Sequence, residues 1–357
     1  MLANGFWDPK FTLGYSESDV IVPDPYDSNG NSGTLSMTLA NRFHLNDTDV
    51  VTAGLDMQRR PGEYLSPSYS TDLEERSRNI GLFAQARLEP SDRWRLSFGA
   101  RYDHQAFTGT DGTELSNSGL SGNASAIFDV TDALSLRGGV SSVFGGVDIE
   151  DNYTFEARVP WVYAGLESTR AKNATLGFDY AVGALTLSGE VFVTQIDNAR
   201  SADQNFDFES RGYNLGATYG WESGFARFTL SESDVEVNGL PAAGYDALDF
   251  GAPLGTVIAF ELEQETGIAG LRIGGGVDAA LDYAVPAGDN DLDGYQVVNV
   301  FAEYVPPSMD TLVLRAEIGN LFDKNYADRA TYGGEYSSVT TLKEPCRTLA
   351  LTAVARF

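Results

Sequence analysis

The sequence predicts an all-β chain, a transmembrane antiparallel β-barrel of about sixteen strands, on three observations. Alternation of apolar and polar residues runs through segments far longer than the five or six residues of an ordinary soluble strand. The connections between these segments alternate between short and long, the pattern of a barrel with tight turns at one rim and loops at the other. No stretch approaches the eighteen or so consecutive apolar residues that a membrane helix requires, so a membrane crossing would fall to strands.

Taken in order, strands are expected at roughly 8–22, 33–43, 48–60, 78–88, 92–107, 117–130, 133–144, 168–181, 184–198, 206–220, 224–234, 248–265, 270–284, 293–305, 310–322 and 345–357. The two-faced character is plainest at Ile80, Leu82, Ala84, Ala86 and Leu88 against Asn79, Gly81, Gln85 and Arg87. It recurs at Trp94, Leu96, Phe98, Ala100 and Tyr102 against Arg95, Ser97, Gly99, Arg101 and Asp103. Two later copies place Leu271, Ile273, Val277 and Ala279 against Arg272, Gly274 and Asp278, and Leu312, Leu314, Ala316 and Ile318 against Arg315 and Glu317. The last residues, RTLALTAVARF, end in mid-alternation on Phe357, which reads as a paired terminal strand. Short links such as Glu89-Pro-Ser-Asp92 alternate with long ones near 61–77, 145–167, 234–247 and 323–344. Phe43, Tyr102, Phe107, Tyr180, Tyr219, Trp221, Tyr283 and Tyr304, near strand ends, are expected to form interfacial girdles.

Composition agrees and narrows the partners. With 51 acidic against 24 basic residues the net charge is -27, which repels phosphate backbones, so no nucleic-acid partner is expected. The mean hydropathy of -0.20 suits strands of which only one face meets lipid. A single cysteine, Cys346, excludes an internal disulfide. Neither His44, placed in a short turn, nor His104 is set in a triad pattern, so no enzyme is expected.

Near the C-terminus stands Asn320-Leu-Phe-Asp-Lys-Asn-Tyr326, followed by Glu344-Pro-Cys-Arg347 and the last strand. This pairing resembles the ending of TonB-dependent outer-membrane receptors, in which an N-L-F-D-x-x-Y turn precedes an E-P-G-R opening of the final strand. Asn320 and Asp323 are expected to build Asx-type turns, and Leu321, Phe322 and Tyr326 to pack at the rim. Gly81 to Arg87, Asp92 to Asp103, Leu166 to Phe178 and Gly294 to Phe301 resemble further barrel strands of that family. Cys346 departs from the family's glycine, which matters only if that backbone needs a positive φ.

The resemblance implies an outer-membrane location in a Gram-negative bacterium, contact with lipid and lipopolysaccharide, and uptake of an iron chelate, haem ahead of ferric siderophore, with no resident cofactor. Such receptors have about twenty-two strands and a plugged lumen. Residues 1–357 are therefore expected to be the C-terminal part of a receptor barrel, with the plug domain and the TonB complex supplied in the intact form. A passive sixteen-stranded porin is the alternative.

Ligand-binding candidates lie mainly in the loop at 145–167, where Tyr153, Phe155, Trp161 and Tyr163 offer aromatic faces or a phenolate and Arg158 a partner for a carboxylate. This loop carries neither the F-R-A-P nor the N-P-N-L segment of haem receptors. His104, near the loop end of its strand, and Tyr332 and Tyr336, in the loop at 323–344, complete the set. Asp289, Asp291 and Asp293, followed by Gly294, form the first half of a calcium loop, but Val300 stands where its bidentate glutamate belongs, so at most weak calcium binding is expected. Arg87, Arg95, Arg101, Glu190, Asp278, Glu303, Arg315 and Glu317 are expected to line water or to pair with a plug.

Overall fold

The computed structural model describes residues 7–23, 27–67, 71–149, 161–241, 255–284, 292–329, 332–335, 338–341 and 343–356. The strands are β1 (Asp8–Val22), β2 (Ser28–His44), β3 (Val50–Ser66), β4 (Thr71–Ser91), β5 (Trp94–Thr108), β6 (Glu114–Asp129), β7 (Leu134–Gly146), β8 (Thr169–Val182), β9 (Leu185–Ser201) and β10 (Gln204–Trp221). They continue as β11 (Gly224–Val237), β12 (Leu240–Pro241), β13 (Gly255–Glu265), β14 (Leu271–Ala280), β15 (Tyr295–Tyr304), β16 (Leu312–Gly319), β17 (Tyr332–Glu335), β18 (Ser338–Thr341) and β19 (Thr348–Ala355). Seventeen of them belong to one sheet, and β17 and β18 form a separate hairpin. All sixteen expected strands are present, and β12, β17 and β18 are additions in loops the sequence left unstructured.

The chain divides into two compact units, Met1–Phe128 with Arg137–Ala174 and Thr194–Phe208, and Asp129–Leu136 with Thr175–Val193 and Glu209–Phe357. In the first, β1 to β6 pair antiparallel in sequence order. In the second, β11, β13, β14, β15, β16 and β19 pair the same way.

Alternation sorts the side chains as expected. On β5, Phe98 and Tyr102 are 44% and 47% exposed, whereas Asp103 and Gln105 are 2% and 3% exposed. The polar residues are the covered ones, the reverse of a water-soluble sheet. An exposed face that joins Leu39, Leu55, Leu82, Tyr102 and Leu120 across five strands is far too apolar for water and suits lipid.

Charges on the other face neutralise one another. In the second unit a belt runs from Glu263 to Arg272 (2.8 Å), to Glu303 (2.5 Å), to Arg315 (3.6 Å) and to Glu317 (3.0 Å). The Arg315 guanidinium also lies 3.8 Å from the centre of the Phe301 ring, which folds over Gly274, where a Cβ would come within 2.6 Å of it. In the first unit Arg101 is held between Asp56 and Asp103, and Asn79 donates to Asp103 at 2.7 Å.

Three expectations are corrected. The link at 61–77 is mostly strand: β3 runs to Ser66 and β4 begins at Thr71, with pairs from Arg60↔Ser77 to Ser66↔Thr71. Here the covered face is closed by polar residues, Ser66, Glu75 and Ser77, so the ladder continues where the apolar stripe stops. Phe107 belongs to no girdle; its odd position on β5 puts it with Asp103 and Gln105, and it is 1% exposed. Phe322, expected to pack at the rim, projects outward at 73% exposure.

The turn after β16 is built as its residues suggest. Asn320 and Asp323 both have positive φ, of 51° and 57°. Asn320 accepts from the Lys324 N–H at 2.7 Å and donates to the carbonyls of Lys324 (2.8 Å) and Pro345 (3.3 Å), while Asp323 accepts from the Arg347 N–H at 2.8 Å. The two quoted motifs thus bind each other and bring β19 beside β16. Cys346 is exposed and is not among the residues with positive φ, so a side chain is tolerated where the family carries glycine. Phe357 lies outside the described residues.

Replacing Asn320 by Ala removes these side-chain bonds from a 5% exposed site and leaves a left-handed residue without its preferred side chain, a loss of about 2–4 kcal/mol. Urea unfolding in detergent or lipid, followed by heat-modifiable gel mobility, is expected to register this, with N320D no milder than N320A, because a carboxylate cannot donate to the two carbonyls.

Candidate functional site

The most enclosed chemistry in the first unit lies at the foot of the loop at 145–167. Three elements converge there: β4 supplies Glu75, β9 supplies Arg200, and a short 3-10 turn at Tyr163–Gly165 supplies Tyr163. Strand parity places the first of these. Glu75 lies on the face shared by Ser77 and Asn79, at a level where that face is roofed by the loop, and is fully buried.

A buried carboxylate must be paired, and this one is. Glu75 accepts from the Tyr163 hydroxyl at 2.7 Å and from both terminal nitrogens of Arg200, at 3.0 and 2.5 Å. Arg200 also donates to the Ala202 carbonyl at 2.7 Å and to that of Asp148. Its guanidinium carbon lies 5.3, 5.9 and 5.5 Å from the ring centres of Phe107, Trp161 and Tyr163. Around it Phe107, Val147, Tyr163 and Leu166 form an apolar cluster with Leu115 and Trp161 at its margin.

The loop's two ends are fastened separately. Gln105 donates to the Val147 carbonyl at 2.6 Å and accepts from its N–H at 2.7 Å. Arg60 pairs with Asp148, and Asp203 accepts from the Val162 N–H at 3.0 Å. Both strands of the loop therefore leave the wall from fixed positions.

Burial, opposed by a hydrogen bond from Thr110 and reinforced by the Glu75 carboxylate, pushes the Tyr163 phenol above its ordinary range. A raised value in the fold means that the neutral phenol is the bound form. Its contribution is complete below the ordinary tyrosine pKa and is lost as the pH rises through the raised one.

Of the expected ligand residues, Trp161 and Tyr163 are the ones that the structure brings together. Tyr163 is buried with its hydroxyl engaged by Glu75 and Thr110, so in this arrangement it supports the loop and presents no open phenolate. Trp161 packs edge-on to it, with centroids 6.2 Å apart. Tyr153, Phe155 and Arg158 lie outside the described residues, as do Tyr336, Asp289 and Asp291. Tyr332 pairs with Thr341 in the β17–β18 hairpin.

His104 stands on the exposed face with Tyr102, opposite Asp103 and Gln105, because neighbours on a strand point to opposite sides. Its Nδ1 is 2.9 Å from the Ser118 hydroxyl, but Asp103, on the other face, is bound to Arg101, so the pair lacks an orienting carboxylate. Asp293 is exposed and only its carbonyl is used, by Arg329 at 3.2 Å. Among the described residues no three His, Cys, Asp or Glu side chains are grouped to hold a metal.

Glu75, Arg200 and Gln105 were not foreseen as a unit. Glu75 fell in the link at 61–77 that the sequence left without a strand, and the separation of 125 residues between Glu75 and Arg200 left no local signal.

Comparison with known proteins adds the family. The model described as TonB dependent receptor-like, beta-barrel, matches residues 3–321. Haem transporters BhuA of Brucella ovis and Brucella abortus are 25% identical to the chain over 378 aligned positions, covering 99% of it and 56% of their own length. Among solved structures, the FrpB iron transporter of Neisseria meningitidis superposes with a TM-score of 0.78 at 20% identity, covering 92% of this chain and 56% of that one. The copper transporter OprC gives 0.80 at 18%, covering 99% and 63%. The chain thus spans little more than half the length of the curated relatives it matches, and a passive porin finds no support in these matches.

Removing one partner of the Glu75–Arg200 pair is expected to cost about 3–5 kcal/mol. E75A or R200A should speed limited proteolysis within 147–166, and E75Q/R200M should recover part of the loss. Raising the pH above about 10 should expose the same segment in the wild type, and Y163F should abolish that alkaline step.

Proposed function

The chain belongs to the TonB-dependent receptor β-barrel family, and from that premise we propose that it is the barrel part of an outer-membrane receptor that imports an iron chelate, haem ahead of a ferric siderophore. The observation that carries the choice of haem is the relation to the Brucella haem transporters, which extends over 99% of this chain. The likeness to the iron and copper transporters supports the fold and leaves the cargo open.

The physical features suit that role. A charged and hydrogen-bonded inner face can carry a polar solute past lipid, and a plug with the TonB complex would couple the barrel to energy from the inner membrane. The loop at 145–167 is anchored at its two described ends, and between them its sequence carries Tyr153, Phe155 and Arg158. An aromatic pair could sandwich a porphyrin, and an arginine could meet a propionate. The half-loop at Asp289, Asp291 and Asp293 could hold calcium weakly. Lipid and lipopolysaccharide would surround the barrel, in the outer membrane of a Gram-negative bacterium.

Haemin titrated into the purified chain in detergent should give a saturable shift of its Soret band, reduced at least tenfold in affinity by a combined Y153A/F155A/R158A change. That expectation rests on three contacts worth roughly 0.5–1.5 kcal/mol each. Binding of a ferric siderophore without haemin binding would replace haem by siderophore. Steady ion conductance of the chain in planar bilayers, with neither ligand bound, would restore the pore.

A further inference from the structure

Three arginines stand together on the outer face of the first unit, in a chain with 51 acidic and 24 basic residues. Arg59 of β3 lies directly across from Arg78 of β4, and Arg76, two residues along, shares their face and is exposed like them. The next row of that face is Met57, Ile80 and His104, and the one after it is Leu55, Leu82, Tyr102 and Leu120. Charge therefore begins where the apolar belt ends.

Arg76 is engaged by Glu74, at 2.5 Å from Nη2. Neither Arg59 nor Arg78 has a carboxylate partner among the described residues. Like charges directly opposed across two strands destabilise the pair unless an anion lies between them. Arg78 stands two residues beyond Ile80, about 7 Å along the strand. That is about the depth of one headgroup layer above the hydrocarbon. The end of the strands that carries the cluster continues into the link between Ser66 and Thr71, away from the short turn at Asp92, so it lies on the loop side of the barrel, the outer side in this family.

We infer that Arg59, Arg76 and Arg78 form a binding site for the phosphate of an outer-leaflet lipid, a phosphorylated glycolipid of the lipopolysaccharide type. Its acyl chains would lie along Met57, Ile80, Leu55 and Leu82. The site faces the membrane, where a lipid brings its phosphate already at the right depth.

The test uses the purified chain in detergent with bisphosphorylated lipid A, dephosphorylated lipid A or inorganic phosphate, and native mass spectrometry as the readout. The wild type is expected to retain the bisphosphorylated lipid. R59Q/R78Q should retain it roughly thirtyfold less well, from about a fivefold contribution of each arginine near an anionic surface. Arg93→Gln, in the short turn at the other end of the same strands, should bind like the wild type. Heat-modifiable mobility verifies that the variants are folded; if the double variant is not, R78Q alone is expected to lose about fivefold. Equal retention by wild type and variant, equal loss in the Arg93 control, or equal retention of dephosphorylated lipid would overturn the assignment. Displacement by inorganic phosphate at matched concentration would do so too, by reducing the site to a general anion site.

Discussion

Everything in this protein depends on backbone pairing across strands. In hydrocarbon an N–H or C=O without a partner costs several kcal/mol, and a membrane-spanning sheet must satisfy each of them from a neighbouring strand. The β4–β5 ladder illustrates how strictly this is met: it runs from Arg76↔Thr108 to Ser91↔Trp94 with one irregularity, between Leu88 and Ser91, beside the turn. Register then fixes chemistry. A slip of one residue would turn Leu82 and Tyr102 inward and Gly81 and Asp103 toward lipid.

Once the sheet is set, its covered face has to accommodate charge, and the two units do so in different ways. The second uses a belt of alternating sign, Glu263, Arg272, Glu303, Arg315 and Glu317, in which the three inner ions each have two partners and all are partly wet. In the first, Glu75 and Arg200 are buried, where attraction is stronger and a missing partner is far more costly. A dry pair beneath aromatic rings suits a joint that must hold a long loop at both ends.

Strands, their faces and the turn at Asn320 were legible because each is a local property. Alternation is read from a dozen residues, and an Asn and an Asp at a strand end carry their own turn chemistry. Phe107 was misread for the same reason: as an aromatic near a strand end it fits a girdle, and only its parity relative to Tyr102 excludes that. Extension of β3 and β4 through 61–77 escaped detection because polar residues on both faces remove the period-2 signal without removing the ladder. Tyr163 and Trp161 were read as ligand groups, whereas the structure bonds Tyr163 to Glu75 and Thr110 and packs Trp161 against it.

From the sequence alone come the β class, the approximate strand positions, the lipid face and the family, because each is written in spacing or in a short motif. Only the tertiary structure decided which distant residues meet: Glu75 with Arg200 and Tyr163, Gln105 with Val147, Arg59 opposite Arg78. Pleat and motif repeat within a strand, whereas these contacts depend on the register of several strands at once and on where a loop returns to the wall. That sum of small offsets is carried by no single segment of the chain.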